Sequence, residues 1–293
     1  MKVVVLGGNG QLGEDVGEAF RGEGDEVTSL SHEDVEIASQ ESITKRLELL
    51  HPEVVVNTAA FHHVEKCEAD PAMSFQINAI GARNVAQASD AIGATLFHVS
   101  TDYVFDGLKR SPYSETDPAF PLNVYGNSKL AGEYFVRTAN SRHFVVRVSG
   151  LYGPHPCRAK GNLNFVELML KLSRERDELR VVNDEFVTPT PTREVARQLV
   201  VLSRTSDYGL YHATSEGGCS WYEFAQAIFE FSGTRVRLEP ARPGEFPAKV
   251  ARPKYSVLEN AALKRSSRNI FQHWRKGLES YLLHDRQATV THA

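Results

Sequence analysis

Short apolar runs alternate with longer stretches whose apolar residues recur at helical spacing through the first half of the chain. Residues 3–6, 26–30, 54–57, 95–100 and 144–148 read as strands, and residues 11–21, 40–50, 71–91 and 124–138 as the helices between them. The strand segments are apolar almost throughout, as strands covered on both faces require. Right-handed crossovers between them give an α/β fold, a doubly wound parallel sheet of Rossmann type with ligands at its carboxyl edge. Beyond about residue 150 the rhythm weakens. Pro154, Pro156, Pro189, Pro191, Pro240, Pro243, Pro247 and Pro253 punctuate shorter helical patterns at 165–174 and 193–203. The expected division is a dinucleotide-binding half, residues 1–150, and a smaller C-terminal lobe, residues 151–293. That lobe is mainly substrate-binding, with some segments returning to the first core. The polar end, 285–293, is expected to fray.

Composition narrows the class. With 293 residues, 41% apolar and 24% charged, the chain can bury a large core. A net charge of -4 argues against nucleic acid or an anionic membrane as partner. No signal peptide is visible, and no apolar run is long enough to span a bilayer. Cys67, Cys157 and Cys219 form neither a metal motif nor a disulfide framework, which fits a reducing compartment. A cytoplasmic protein is expected.

The segment Gly7-Gly8-Asn9-Gly10-Gln11-Leu12-Gly13 directly follows the first strand and opens a helix. Gly7, Gly10 and Gly13 permit a tight turn and close backbone approach to a pyrophosphate, beside the unpaired N–H groups of a helix start. Its spacing differs from the GxGxxG form of other Rossmann dehydrogenases. Ser31-His32 follow the second strand, with Glu33 and Asp34 slightly later and no adjacent arginine, so NADPH and NADH both stay open. Glu36-Ile37 flank an adenine, or are a surface acid beside a buried isoleucine. Asn57-Thr58-Ala59-Ala60 end a strand with small side chains, letting a cofactor lie across the sheet edge. No metal site is expected at His62-His63, since adjacent histidines diverge. Glu65 and Glu68 read as a solvated helix edge, and Trp221 and Trp274 as packing residues.

Tyr125 and Lys129 carry the candidate chemistry. At i and i+4 they share one helix face, and a nearby ammonium favours the phenolate. The hydroxyl of Thr101 or Ser100, if beside that phenol, completes a proton-donating site. With a dinucleotide supplying hydride, this apparatus reduces a ketone or oxidises an alcohol. In the second half, residues 162–165, 188–192 and 252–254 are candidates for contacts to a nucleotide base or diphosphate, Arg252 offering a planar fork to phosphate. Surface charge is the alternative for Arg252 and Lys254.

Together these pieces resemble the extended short-chain dehydrogenase/reductases, and among them the dTDP-4-dehydrorhamnose reductase family. The similar segments run nearly end to end: GGNGQLG, VVVNTAA, VSTDYVFDG, PLNVYGNSKLAGE, RVSGLYG, NFVELML, TPTPT, GLYHAT and RPKYSVLEN. The resemblance implies reduction of the 4-keto group of a nucleotide-linked 6-deoxy sugar. It assigns proton donation to Tyr125, ribose binding and a lowered tyrosine pKa to Lys129, and a sugar contact to Thr101. Asp102 falls at a substrate position, and Gly10, Gln11, Leu12, Glu36, Ile37, Ala59, Ala60 and His62 at cofactor positions. Asn164 and Arg252 join the substrate-binding candidates. Leu151 stands where the family often has a sugar-contacting tryptophan, and Phe61-His62-His63 replace small or hydroxylated residues. Some relatives bind a divalent ion at a dimer contact; no ligands for one are identified here, and a homodimer stays open. Two other readings remain. One is a dinucleotide-binding regulatory subunit like that of methionine adenosyltransferase. The other is a nucleotide-sugar epimerase or dehydratase; dehydratases generally place an acidic pair after the hydroxyl residue, whereas Asp102 is followed by Tyr103.

Overall fold

Valine-rich runs have no polar face to turn toward water, so they become interior strands with helices on both sides. In the computed structural model, which describes residues 1–157, 161–242 and 244–285, the first-half strands are β1 (Lys2–Leu6), β2 (Glu26–Leu30), β3 (Val54–Asn57), β4 (Thr95–Thr101) and β5 (His143–Val148), with the more polar β2 at the sheet edge. Pro243 and residues 286–293 of the expected frayed end lie outside the described residues. The first-half helices are α1 (Gln11–Gly22), α2 (Gln40–Leu50), α3 (Val64–Ala69), α4 (Pro71–Phe75), α5 (Ala82–Ala91) and α6 (Val124–Ala139). The second half adds β6 (Leu151–Tyr152), α7 (Phe165–Glu175), β7 (Glu178–Val181), β8 (Phe186–Val187), β9 (Thr190–Pro191), α8 (Thr192–Ser203) and β10 (Gly209–His212). These are followed by β11 (Cys219–Ser220), α9 (Trp221–Ser232) and β12 (Arg237–Pro240).

One six-stranded sheet runs β10-β5-β4-β3-β1-β2, all parallel. Its order reverses between β1 and β3, so a crevice opens at their carboxyl ends. Side chains alternate strictly between faces, as pleating demands. Val3, Val5, Val54, Val56, Phe97 and Val146 pack under Leu12, Val16 and Phe20 of α1 and Val195 and Leu199 of α8. Val4, Leu6, Val55, Leu96 and Val145 face Ile43 and Leu47 of α2, Val85 of α5 and Val136 of α6. Each such side chain contributes about 1.5–3 kcal/mol by leaving water, so the two layers hold the strand ends in place. A separate apolar cluster, with Tyr152, Val166, Phe224 and Trp274, packs the second lobe, where β6 pairs with β9, β7 with β12 and β8 with β11. Trp274 is buried there and Trp221 packs at a tilt against Phe165. Among the described residues no helix is long and apolar enough to cross a membrane.

The expected single helix over 71–91 is three pieces. Between α4 and α5, residues Gln76–Gly81 widen into a π-helical turn. The cause is Asn78, whose side chain turns inward. Its Oδ1 accepts from Phe61 N at 2.8 Å, and its Nδ2 donates to Phe61 O at 2.9 Å and Ser128 Oγ at 3.0 Å. An interior amide must be satisfied, and the wider turn lets this one join the loop after β3 to α6.

The glycine turn is dictated sterically. Gly7 has φ 74°, and a Cβ on Gly13 would lie 2.2 Å from Gly7 O, where nothing but glycine fits. Gly13→Ala should therefore destabilise the protein by about 1–3 kcal/mol, as overpacking does. Gly22→Ala, with nothing within 4 Å of the new Cβ, should be neutral or stabilising. Urea denaturation of both variants checks the pair.

Candidate active site

Helix α6 is unusual in what it buries. Its inward face carries Ser128, Lys129, Gly132, Glu133 and Val136, mostly polar where an amphipathic helix would place aliphatics. Its start is fixed from three directions. Asn123 caps it, accepting from Gly126 N at 2.8 Å, and donates to Ala251 O at 2.9 Å. Glu68 accepts from Val124 N at 3.1 Å. Glu68 lies on the exposed edge of α3, as expected, and from there its carboxylate also satisfies an otherwise unpaired N–H of α6.

These contacts hold Tyr125 at the carboxyl end of β4, where Thr101 stands. Burial pushes the phenol's pKa up and Asp102 and Cys67 add to the rise, while the neighbouring Thr101 hydroxyl works against it. The expected lowering of the tyrosine is therefore outweighed by desolvation, and Tyr125 is held as a neutral phenol. Lys129 is 2% exposed and donates from Nζ to Val99 O at 2.7 Å. Burial brings its pKa down to about 8, with Glu133 working against the fall. Asp102 is enclosed by hydroxyls: Thr101 Oγ1 donates to Oδ1 at 3.0 Å, and Ser149 and Ser256 donate to Oδ2 at 2.9 and 2.5 Å. Burial raises its pKa while those hydroxyls oppose the rise.

The cofactor candidates gather at the β1–β3 crevice. Gly10 is the N-cap of α1 and has no side chain to satisfy the first-turn N–H groups, which leaves that end open to an anion. Gln11 Nε2 is buried with no hydrogen-bond partner among the described residues, a donor set to receive a ligand acceptor. Leu12 is buried beneath the turn. Ala59 N is bonded to Asn57 Oδ1, and a Cβ on Gly7 would touch that nitrogen at 2.9 Å, so the two loops form one narrow floor. Ala60 and His62 follow at its rim, with His62 Nδ1 3.4 Å from Ala60 O. Neutral donors, a helix start and small side chains suit a dinucleotide diphosphate. Glu36 is turned back on its own loop, accepting from Ala38 N at 2.8 Å, while Ile37 belongs to the core. His63 caps α3 by accepting from Lys66 N.

The second-lobe candidates spread out. Leu151 packs against the first apolar cluster, in register with Thr190. Asn164 is the buried N-cap of α7, accepting from Glu167 N at 3.0 Å and donating to Gly153 O at 2.9 Å. Arg252 is ion-paired with Glu65, so Glu65, half-buried on α3, is partnered by a distant segment of the chain as well as facing solvent. Lys254 pairs with Asp184 at 2.9 Å.

Sequence reading missed Ser149 and Ser256, which meet only through Asp102, and Glu133 with Arg147. It also missed a charged cluster of Asp15, Glu18 and His155, whose ligand atoms lie within 4.8 Å of one another beside Arg193. Only the fold brings these distant residues together; the one available signal was Glu133 at i+4 from Lys129.

Comparison with known proteins agrees with this geometry. The profile of the RmlD substrate binding domain matches residues 1–287. Spore coat polysaccharide biosynthesis protein SpsK of Bacillus subtilis (strain 168) is 40% identical over 281 residues, 96% of each chain. A solved dTDP-4-dehydrorhamnose reductase from Clostridium acetobutylicum is 39% identical with a TM-score of 0.91, covering 96% of this chain and 98% of that one. That of Bacillus anthracis, solved in complex with NADP, is 36% identical with a TM-score of 0.92 over the same shares. The chain belongs to the dTDP-4-dehydrorhamnose reductase family, among the extended short-chain dehydrogenase/reductases.

Proposed function

We propose that this chain reduces the 4-keto group of a nucleotide-linked 6-deoxy sugar, with dTDP-4-dehydro-L-rhamnose going to dTDP-L-rhamnose as the first candidate. The observation that carries the reading is the neutral Tyr125 phenol, beside Thr101 and one helical turn from Lys129, at the sheet edge that also bears the glycine turn. Bound NADPH or NADH supplies hydride to C4 of the sugar. As the carbonyl oxygen gains negative charge, Tyr125 Oη gives it a proton and is left as phenolate. A phenol held neutral by burial is in the state that proton donation requires, whereas a tyrosine already ionised would have nothing to give. The Thr101 hydroxyl, once turned from Asp102 Oδ1, would donate to the carbonyl oxygen and then to the phenolate. Lys129 holds the ribose and offsets the phenolate charge.

Asp102, with Ser149 and Ser256, keeps Thr101 in place from behind. Gly10, Gln11 and Leu12 receive the diphosphate, and Ala59 and Ala60 leave room for the dinucleotide along the edge. Arg252 and Leu151 are the candidates for the sugar-nucleotide side, and the SpsK relative, named for polysaccharide biosynthesis, fits a sugar substrate. The intact Thr101, Tyr125 and Lys129 favour catalysis over a purely regulatory role.

The direct test is dinucleotide oxidation with dTDP-4-dehydro-L-rhamnose, using NADPH and then NADH. Tyr125→Phe, which removes the proton donor, should lower kcat by about 10²–10⁴-fold with the dinucleotide still bound. Near-full activity in that variant would remove Tyr125 from the role.

The pH dependence follows from Lys129. Its ammonium is present below about 8 and lost as the pH rises through that value. The kcat/KM for the dinucleotide, which reports the free enzyme, should fall about tenfold per unit above that point. A flat profile to pH 10 would contradict the assignment.

A further inference from the structure

The reaction just described leaves one buried charged pair without a role. Glu133 is 1% exposed on α6, one turn beyond Lys129, and Arg147 is 3% exposed on β5. Arg147 Nε and Nη2 donate to Glu133 Oε1 and Oε2 at 2.9 and 2.7 Å, a bidentate fork. Its third nitrogen, Nη1, is buried with no hydrogen-bond partner among the described residues, and the guanidinium lies 5.1 Å from the Phe105 ring centre. Burying such a pair often costs as much as its attraction returns, and apolar residues of similar volume frequently do as well. A stability role alone accounts poorly for it.

Position accounts for it better. Ser100 stands opposite Arg147 in the β4–β5 register and donates to Glu133 Oε1 at 2.5 Å. Two successive residues of β4 are thus tied to α6, and the next, Thr101, lies beside Tyr125. The Val99 carbonyl receives Lys129 Nζ and Ser100 reaches Glu133. The second tie is the one that touches no reactant, and it is the one anchored to a third element, β5.

We propose that Glu133, clamped by Arg147 and Ser100, is a positioning residue that sets the register of α6 on β4 and with it the placement of Lys129. The proposal rests on the ketoreductase reading only for what Lys129 does there. Glu133 is the group that opposes the downward pull of burial on Lys129. The other ionisable groups around it reinforce this dependence. His98 on β4 is held neutral by burial, with Lys129 adding to the effect, and Arg147 on β5 is already matched by Glu133. Asp102 and Tyr125 lie toward the open end, the tyrosine uncharged.

The test replaces both members of the pair, Glu133→Gln with Arg147→Met, so that no buried charge is left alone. The Lys129 side-chain ammonium is titrated by 15N NMR in the cofactor-free protein, with Lys129→Met identifying its resonance. The midpoint should fall from about 8 by roughly one unit, with kcat down about tenfold or more and KM for the sugar little changed. Glu133→Asp should recover part of both. A folded pair variant with wild-type titration and wild-type kcat would overturn the proposal. If that variant does not fold, Ser100→Ala decides, because it keeps the ion pair and removes only the strand contact: kcat lowered at constant KM supports the clamp, and unchanged kcat refutes it. Should the wild-type protein reduce no keto sugar, the ketoreductase reading fails, while the Lys129 titration still decides this one.

Discussion

A charged side chain cannot remain in a protein interior unless other groups replace the water it has lost. Lys129 is such a side chain, and much of the site follows from how its charge is held. Its ammonium rests on the Val99 carbonyl at 2.7 Å, which brings α6 close against β4. That closeness in turn sets Tyr125 against Thr101. It also buries Glu133, which then needs Arg147 and Ser100. The polar face of α6 is therefore a consequence of chemistry at one end of the helix, and its stability is supplied by the aliphatic layers on either side of the sheet.

The same requirement joins the two halves of the chain. Asp102 receives hydroxyls from Thr101, Ser149 and Ser256, the last from the loop that also carries Arg252. That loop's Ala251 carbonyl accepts from Asn123, the cap of α6, and its Arg252 pairs with Glu65 on α3. Folding of the second lobe therefore completes the surroundings of Thr101 and Tyr125. A crevice built this way is preorganised by residues from both halves of the chain, which is what differential stabilisation of a developing oxyanion demands.

Much of the first half was legible in the chain itself. Continuous valine runs such as Val3 to Leu6 have one stable environment, and Gly7, Gly10 and Gly13 after a strand have few uses besides an anion-binding turn. Tyr125 and Lys129 share a face by helical period alone. The π-helical turn at Gln76–Gly81 was not legible, because it exists to satisfy Asn78 against Phe61 and Ser128, both remote in sequence. The long-range partners of Glu65 and Glu68 were hidden for the same reason. Tyr125 shows a different limit. Sequence spacing suggests a phenol made more acidic by Lys129, while burial, which no local pattern reveals, makes it less so.

The central claim is that hydride reaches C4 of the sugar at this sheet edge. The most direct measurement is a single turnover with nicotinamide dinucleotide deuterated at C4 of the reduced ring, followed by NMR of the recovered sugar nucleotide. The account predicts one deuterium bonded to sugar C4. Oxidised dinucleotide with no deuterium at that carbon would contradict it.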